Sequence, residues 1–278
     1  MESNINLLPK HHLSSSNSTL FYRPIFWILF VLISIEGFLI TFRYYPMVFP
    51  PVELDFKMNR EEALKSADTL AKKYNWGPKS YRQAASFGLD SEFQNFVELE
   101  LGGSSAFQQL IDDGVYSPYL WSVRHFKENQ LNETTIYFTP SGEPYGFVET
   151  LSENKAGSSL DLNEALVIAE TEAMNSWNFD LSKFKMIEKS LETRPSGRTD
   201  HIFIYERKYK KIDEAKFRVR LQVSGNKLTE LYQYIKIPDW FSNQYENKRS
   251  ANNSFGSIGF MALRLVGWFG GWVIGLCF

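Results

Sequence analysis

The chain has 278 residues and a formal net charge of -2, with 44% hydrophobic and 22% charged residues. This balance is typical of a chain that folds, and the length allows one large or two small domains. A nucleic-acid-binding protein normally carries a clustered basic face, so the charge argues against nucleic acid as a partner. The single cysteine, Cys277, excludes an internal disulfide.

Residues 25–42, IFWILFVLISIEGFLITF, form an apolar run that is broken by one charge, Glu36. A helix of about 18 to 20 residues crosses a hydrocarbon core. Pro24 suits the start of such a helix, and Arg43 follows its end. We therefore predict a transmembrane helix over 25–42, preceded by a cytoplasmic tail of residues 1–24. A cleaved signal peptide is the alternative, but the run is long for one and no small-residue cleavage site follows it.

A second apolar segment, residues 257–278, is long enough to cross a membrane, although it contains Arg264 and several glycines. The chain stops inside this segment without a polar flank, so we expect a truncated second transmembrane helix. The simplest topology, single-pass or multi-pass in the cell membrane, places residues 43–256 outside the cytoplasm. Glu36 and Arg264 carry opposite charges in the two predicted spans and are a candidate intramembrane pair. The alternative for Glu36 is a carboxyl group that is protonated or reaches the interface.

Two amphipathic helices begin in the same way. Residues 59–74 place small and apolar side chains on one stripe, and Asn59 with Glu62 has the spacing of a capping box. Residues 161–177 repeat the pattern, with Asp161 and Glu164 as the capping pair. The matching helix starts predict an internal repeat.

Strand patterns follow each helix. Residues 214–223, EAKFRVRLQV, alternate apolar and polar side chains, which predicts a strand with one buried and one wet face. Residues 91–113 form an insert that is either helical or a loop, with Gly102 and Gly103 as a break. The predicted strands are 81–89, 119–127, 134–139 and 145–151 in the first repeat, and 184–193, 200–208, 214–224 and 227–236 in the second.

The predicted fold class is α+β: two repeats, 52–155 and 159–237, each a helix packed on an antiparallel sheet and both flanked by the transmembrane helices. A helix followed by a meander, with Trp121 in one strand and YFTPSGE at 137–143, resembles the PepSY domain. That resemblance implies an extracytoplasmic module that inhibits or regulates proteases.

A wider resemblance covers residues 25–260. Its motifs are REEAL at 60–64, YRQAASF at 81–87, YLWSVR at 119–124 and RTDHIFIYER at 198–207. The arrangement is similar to the amino-terminal extension of some bacterial CPBP (CAAX protease and bacteriocin-processing) intramembrane metalloproteases. Such proteins keep a Glu-Glu-x-x-x-Arg motif and metal-binding histidines in a multi-helix core, so zinc or another divalent metal is expected only in that core.

No catalytic, cofactor-binding or metal-binding residue is carried over from this family. Glu61 and Glu62 are followed by Ala-Leu-Lys-Ser, so the arginine of the motif is missing. His125 and His201 occur singly in predicted strands, where a structural role is the simpler interpretation. No nucleophile elbow, phosphate loop or dinucleotide fingerprint is present.

Aromatic residues are frequent in the predicted strands. Buried cross-strand pairs are the default explanation for them, and a peptide-binding face is the alternative. The residues in question are Trp121, Tyr137, Tyr145, Tyr205, Tyr232 and Tyr234.

Two functions fit these patterns. The first is the anchored extracytoplasmic region of a CPBP-like protease that recognises substrates or restrains the protease, without the catalytic core in this chain. The second is a complete membrane-anchored PepSY-like binding or sensor protein with no enzymatic activity. The expected partners are the lipid bilayer and either a protease core or a peptide or protein substrate. An independent enzyme is disfavoured because the necessary constellations are missing.

Overall fold

The chain forms two units, residues 1–53 and 54–278. In the computed structural model the described residues are α+β, with one eight-stranded antiparallel sheet and seven helices, of which one is a short 3₁₀ helix at Leu181–Lys183. This confirms the predicted class. The structure describes residues 24–48, 56–114, 116–208, 212 and 214–276, without the side chains of 46–48, 251, 252, 255, 262, 263 and 265–276.

Helix α1 (Pro24–Val48) is the described part of the first unit. Over Pro24–Tyr45 it is long and apolar enough to cross a membrane, and a signal sequence near the amino terminus meets the same criteria. The hydroxyls of Ser34 and Thr41 each donate to a backbone carbonyl oxygen four residues earlier, at 2.8 Å. These polar groups are thus satisfied without water, as hydrocarbon surroundings require. The helix extends the predicted span, 25–42, at both ends.

Helix α2 (Arg60–Tyr74) begins with the predicted capping box. The Asn59 side chain accepts from the Glu62 amide at 3.0 Å, and the Glu62 carboxylate accepts from the Asn59 amide at 2.9 Å. Two orphan amides at the helix start are thereby paired. Because alanine is small, the inner side of the helix backbone lies close to its neighbours. The buried residues of this helix are Ala63, Ala67 and Ala71.

Helix α5 (Leu162–Trp177) has the same construction. Asp161 accepts from the Glu164 amide at 2.9 Å, and Glu164 accepts in return from the Asp161 amide. Both helices end at an asparagine in the left-handed conformation, Asn75 and Asn178. The predicted repeat of the helix is therefore present in its caps and in its buried face. The buried residues of α5 are Ala165, Ala169 and Ala173.

The strands form one sheet in the order β1-β2-β3-β4-β8-β7-β6-β5. Each half is a meander of four strands, and the last strand of one half pairs with the last strand of the other. All eight predicted strands are confirmed within about two residues, the usual uncertainty of such bounds. They are Arg82–Leu89 (β1), Tyr119–Phe126 (β2), Glu133–Phe138 (β3), Pro144–Thr150 (β4), Phe184–Thr193 (β5), Thr199–Arg207 (β6), Lys216–Ser224 (β7) and Lys227–Lys236 (β8).

The two halves join through a short ladder between β4 and β8. Phe147 lies opposite Leu231, and Val148 lies opposite Glu230. Beside this ladder, a Cβ atom built on Gly146 would overlap the backbone carbonyl oxygen of Leu231. The two strands can approach only because residue 146 has no side chain. The union of both repeats in one sheet is not predicted by the sequence pattern.

An aromatic stack lies over this joint. The ring of Phe147 lies 4.1 Å from that of Trp76, which follows α2, and 5.0 Å from that of Trp177, at the end of α5. The Tyr74 hydroxyl also donates to the carbonyl oxygen of Ser176 at 3.4 Å. Each aromatic pair contributes about 0.5–1.5 kcal/mol beyond its buried area. The carboxyl ends of both helices therefore stabilise the same short ladder.

A buried ion pair fixes the segment that connects the halves. The Arg198 guanidinium donates to both oxygens of Asp200, at 2.8 and 3.1 Å, and to the carbonyl oxygens of Ser152 and Lys155. Burial raises the pKa of Asp200, but hydrogen bonds from Arg198 and Arg194 outweigh burial, so the pKa is lowered. The connecting segment is thus tied to β6 through one side chain that is 2% exposed.

The insert between β1 and β2 is helical rather than a loop. It forms α3 (Ser91–Glu100) and α4 (Gly103–Asp112), with Gly102 at positive φ between them and Gly103, also at positive φ, as the first residue of α4. The buried ring of Phe93 lies 5.9 Å from that of Phe107, so the two short helices share one small apolar cluster.

Helix α6 (Asp239–Leu276) follows β8 closely. Its buried Phe241 packs edge-on against Phe96 of α3, with ring centroids 5.1 Å apart. The predicted second span, 257–278, begins within this helix, and Cys277 and Phe278 lie outside the described residues. Its crossing of a membrane stays a prediction.

We predict that Gly146→Ala lowers the free energy of unfolding by about 1–3 kcal/mol, the usual range for overpacking, because the new methyl group pushes β8 away from β4. Urea unfolding of the full chain in detergent, followed by circular dichroism, measures the loss. Gly88→Ala is the matched control, since a Cβ atom at Gly88 meets nothing within 4 Å. Equal stability of the two variants would contradict this account of the joint.

Replacing Arg198 with methionine leaves the buried Asp200 without its main cation. We expect a loss of about 3–5 kcal/mol in the same unfolding experiment. Arg82→Met removes an ion pair with Glu128 in which both side chains are about two-thirds exposed, and should cost less than about 1 kcal/mol. A similar loss in both variants would show that Arg198 does not hold the connecting segment.

Candidate binding surface

The sheet has one face that carries α2 and α5 and a second face that we call the open face. On the helix-covered side, Gln83 donates to the Leu64 carbonyl oxygen of α2, and Tyr205 donates to Glu170 of α5. Alternation along each strand assigns the intervening residues to the open face. Most of these residues are half-buried or exposed, and they are the chain's best candidate for a binding surface.

Three tyrosines lie side by side on the open face. The rings of Tyr137 and Tyr232 are 5.6 Å apart, and those of Tyr232 and Tyr234 are 6.0 Å apart and nearly parallel. Tyr137 belongs to β3 and Tyr232 to β8, so the pair reaches across β4 between them. The residue opposite Tyr137 in β4 is Gly146, which has no side chain. The contact between the two tyrosines therefore bridges the two halves of the sheet.

A hollow of about 450 Å³ lies on one side of the tyrosines. Small residues form part of its floor: Gly88 is in β1, and Ser122 of β2 shares a hydrogen bond of 2.8 Å with Ser86. Leu120 gives an apolar wall, and Asp90 lies at the rim. The hollow has room for a side chain because several neighbouring strand positions carry almost none.

A second hollow, of about 410 Å³, lies on the other side of the same tyrosines. Ile202 and Ile204 of β6 provide its apolar surface, while Glu188 and Ser190 of β5 lie at its outer edge. Tyr232 and Tyr234 line both hollows. The two hollows therefore lie side by side across the strands, and we call them together the groove.

Hydrogen bonding distinguishes the tyrosines of the two faces. The hydroxyls of Tyr81 and Tyr205, on the helix-covered side, donate to carboxylates at 2.7 and 2.8 Å. The hydroxyls of Tyr137, Tyr232 and Tyr234 make no hydrogen bond with any residue in the described part of the chain. Burial raises the pKa of Tyr137 to about 12, with further contributions from Tyr232 and Glu230, so its hydroxyl stays protonated at neutral pH.

Arg220 lies in the middle of the groove, directly opposite Tyr232 in the strand register. Its Nε atom is 3.6 Å from the Glu230 carboxylate and has no hydrogen-bond partner in the described structure, although it is buried. Burial raises the pKa of Glu230, and the charge of Arg220 opposes this change. The Nη2 atom of Arg220 donates to the Gln222 side chain at 3.4 Å, so the guanidinium is held between Glu230 and Gln222.

The peptide-binding face that the sequence left as an alternative would include all six strand aromatics, and the structure separates them. Trp121, Tyr145 and Tyr205 lie on the helix-covered face, where the Trp121 indole donates to the Met58 carbonyl oxygen. The other three form the groove. Alternation in the sequence indicates which residues share a face, but not which face the helices cover.

The two residues of the candidate intramembrane pair, Glu36 and Arg264, lie in different units. Glu36 lies on α1 with its side chain exposed, and Arg264 lies on α6 with its guanidinium 4.8 Å from the ring centre of Phe260. The two residues belong to different units, so the intramembrane pair stays a prediction.

No metal site is found among residues 24–48, 56–114, 116–208 and 214–276: no three or more His, Cys, Asp or Glu side chains converge there. His201 Nε2 lies 3.0 Å from the Leu160 carbonyl oxygen and therefore donates to it. Glu128, the possible partner of His125 by spacing, instead pairs with Arg82.

His125 is fully buried in β2. The Gln83 amide nitrogen donates to the Leu64 carbonyl oxygen and lies 2.8 Å from His125 Nε2, which must therefore accept. The imidazole stacks on Tyr81 at 4.1 Å. Burial lowers the pKa of His125 to about 4, although the charge of Asp68 acts in the opposite direction. His125 is thus a neutral structural side chain.

We predict a stability loss at acid pH that depends on His125. An unfolded histidine titrates near 6.5, so between about pH 6.5 and 4 the unfolded chain binds a proton that the folded chain does not. The free energy of unfolding should fall over this window by about 2–3 kcal/mol more in the wild type than in His125→Leu, as measured by urea unfolding at pH 7 and 4.5. The control variant His201→Gln should lose as much stability between pH 7 and 4.5 as the wild type. If His125→Leu also loses as much as the wild type, buried neutral His125 is not the cause of the acid sensitivity.

The groove presents aromatic rings, apolar hollows and tyrosine hydroxyls, and no nucleophile and base are arranged together among its described residues. The resemblances to the PepSY domain and the CPBP family stay predictions that rest on the residues alone. No protein-family model, no curated protein and no solved structure matches the chain.

Proposed function

We propose that this chain is the membrane-anchored, extracytoplasmic region of a CPBP-like intramembrane metalloprotease, where it recognises substrates or regulates the protease. The catalytic groups and their metal belong to a core outside these residues. The observation that carries the proposal is the groove of the open face, which offers binding contacts without catalytic ones.

The anchor in this proposal is α1. Its 22-residue apolar segment Pro24–Tyr45 has no buried side chain, so its surface suits lipid. Residues 1–24 would lie in the cytoplasm and residues 43–256 outside it. The sheet would then present its open face to extracytoplasmic proteins.

The regulatory part of the proposal draws on the repeated helix-and-meander construction. Both halves use capped, alanine-faced helices, and the PepSY resemblance implies modules of this kind that restrain or guide proteases. A joint that holds two such modules in one sheet gives them one common surface. A substrate or a protease segment could be held across both modules at once.

A second candidate function is a complete membrane-anchored PepSY-like binding or sensor protein without enzymatic activity. It shares with the first candidate that His125 and the Arg198–Asp200 pair are engaged in packing and not aimed into the groove. In this case the groove itself would be the sensor's ligand site.

The test compares this chain with the protein translated from the whole reading frame that contains it, both in detergent. We expect bound zinc and cleavage of a membrane-peptide substrate in the longer protein only, and a changed cleavage rate after removal of residues 56–237. Metal analysis and gel-based proteolysis are the measurements. A longer protein with neither metal nor cleavage would contradict the protease parentage and favour the sensor.

A further inference from the structure

We infer that the groove of the open face binds an extended peptide of about ten residues, with apolar side chains in its middle and basic residues at its ends. This inference rests on the proposed recognition function and names its ligand. The peptide crosses the strands instead of adding to a sheet edge.

The length follows from the sheet. The groove extends from Gly88 in β1 to Glu188 in β5, the two outermost strands. With neighbouring strands about 4.8 Å apart, eight strands span about 34 Å. An extended chain advances about 3.3 Å per residue, so about ten residues cover the groove.

The apolar middle follows from the hollows. The one beside Leu120 is about 450 Å³ and the one beside Ile202 and Ile204 is about 410 Å³. Each volume accommodates a Leu, Phe or Tyr side chain from the ligand. The nearly parallel rings of Tyr232 and Tyr234 separate the hollows and offer a flat surface to the peptide backbone between two such side chains.

The unpaired donors fit a peptide backbone. Tyr137, Tyr232 and Tyr234 line the groove and present hydroxyls that make no hydrogen bond within the described part of the chain. The carbonyl groups of an extended peptide occur at regular intervals and accept from such donors. A purely hydrocarbon ligand would leave these donors unsatisfied.

The basic ends follow from the charges at the rim. Asp90 and Glu92 lie at one end of the groove, and Glu188 lies at the other. None of the three carboxylates forms an ion pair with a described residue, whereas Arg218 and Arg220, nearer the middle, face Glu206 and Glu230. Both ends are therefore negative, and a ligand with Lys or Arg near each end complements them.

The test uses the full chain in detergent micelles and a labelled peptide, Lys-Ser-Leu-Thr-Tyr-Val-Phe-Ser-Leu-Lys, with fluorescence anisotropy as the readout. We expect saturable binding, and at least about tenfold weaker binding of the counterpart that has glutamates in place of both lysines. Tyr232→Ser and Glu188→Lys should each raise the Kd about tenfold. Glu172→Lys makes the same charge change at an exposed position of α5, away from the groove, and should leave the Kd unchanged.

Glu188 is exposed, so its substitution tests the groove even where a tyrosine variant folds poorly. Equal binding of the two peptides, or an unchanged Kd in Glu188→Lys, would overturn the inference. A dimer would also overturn the inference if the peptide does not dissociate it and Tyr232→Ser converts it to a monomer. The occupant of the groove would then be a second copy of the chain. If the longer protein cleaves its substrate with metal but this chain does not bind the peptide, only the present inference is wrong. If this chain binds the peptide but the longer protein does not cleave, only the protease parentage is wrong.

Discussion

The short ladder between β4 and β8 is the contact on which the rest of the second unit depends. It is formed by few residues, and it requires that Gly146 leave space for the Leu231 carbonyl oxygen. Without it, each meander would expose an additional strand edge, with unpaired backbone groups that invite aggregation. The aromatic stack of Trp76, Phe147 and Trp177 adds packing energy at this point, where backbone pairing alone is limited.

The groove is a product of the same joint. Each half alone has only part of it: Tyr137 comes from the first half, and Tyr232 and Tyr234 come from the second. Their contact across β4 exists because the halves are fused in this register. The pairing of β4 with β8 therefore creates a surface that neither half could offer alone.

Local signals made most of the elements predictable. The capping pairs at Asn59 and Asp161 predict the helix starts, and the period-two alternation of residues 214–223 predicts β7 with one buried face. The insert remained ambiguous because α3 and α4 are only ten residues each, too short for periodicity to decide. The joint and the groove could not be predicted, because both depend on contacts between residues distant in sequence and on which face the helices cover.

Helix α6 is a long helix that directly follows a strand of the groove. It starts three residues after β8, the strand that carries Tyr232 and Tyr234, and it continues for 38 residues. At 1.5 Å per residue this is a rod of about 57 Å, so a tilt of about 5° at Pro238 displaces its far end by about 5 Å. Any small change in the angle between β8 and α6 is therefore large at the apolar end of the helix.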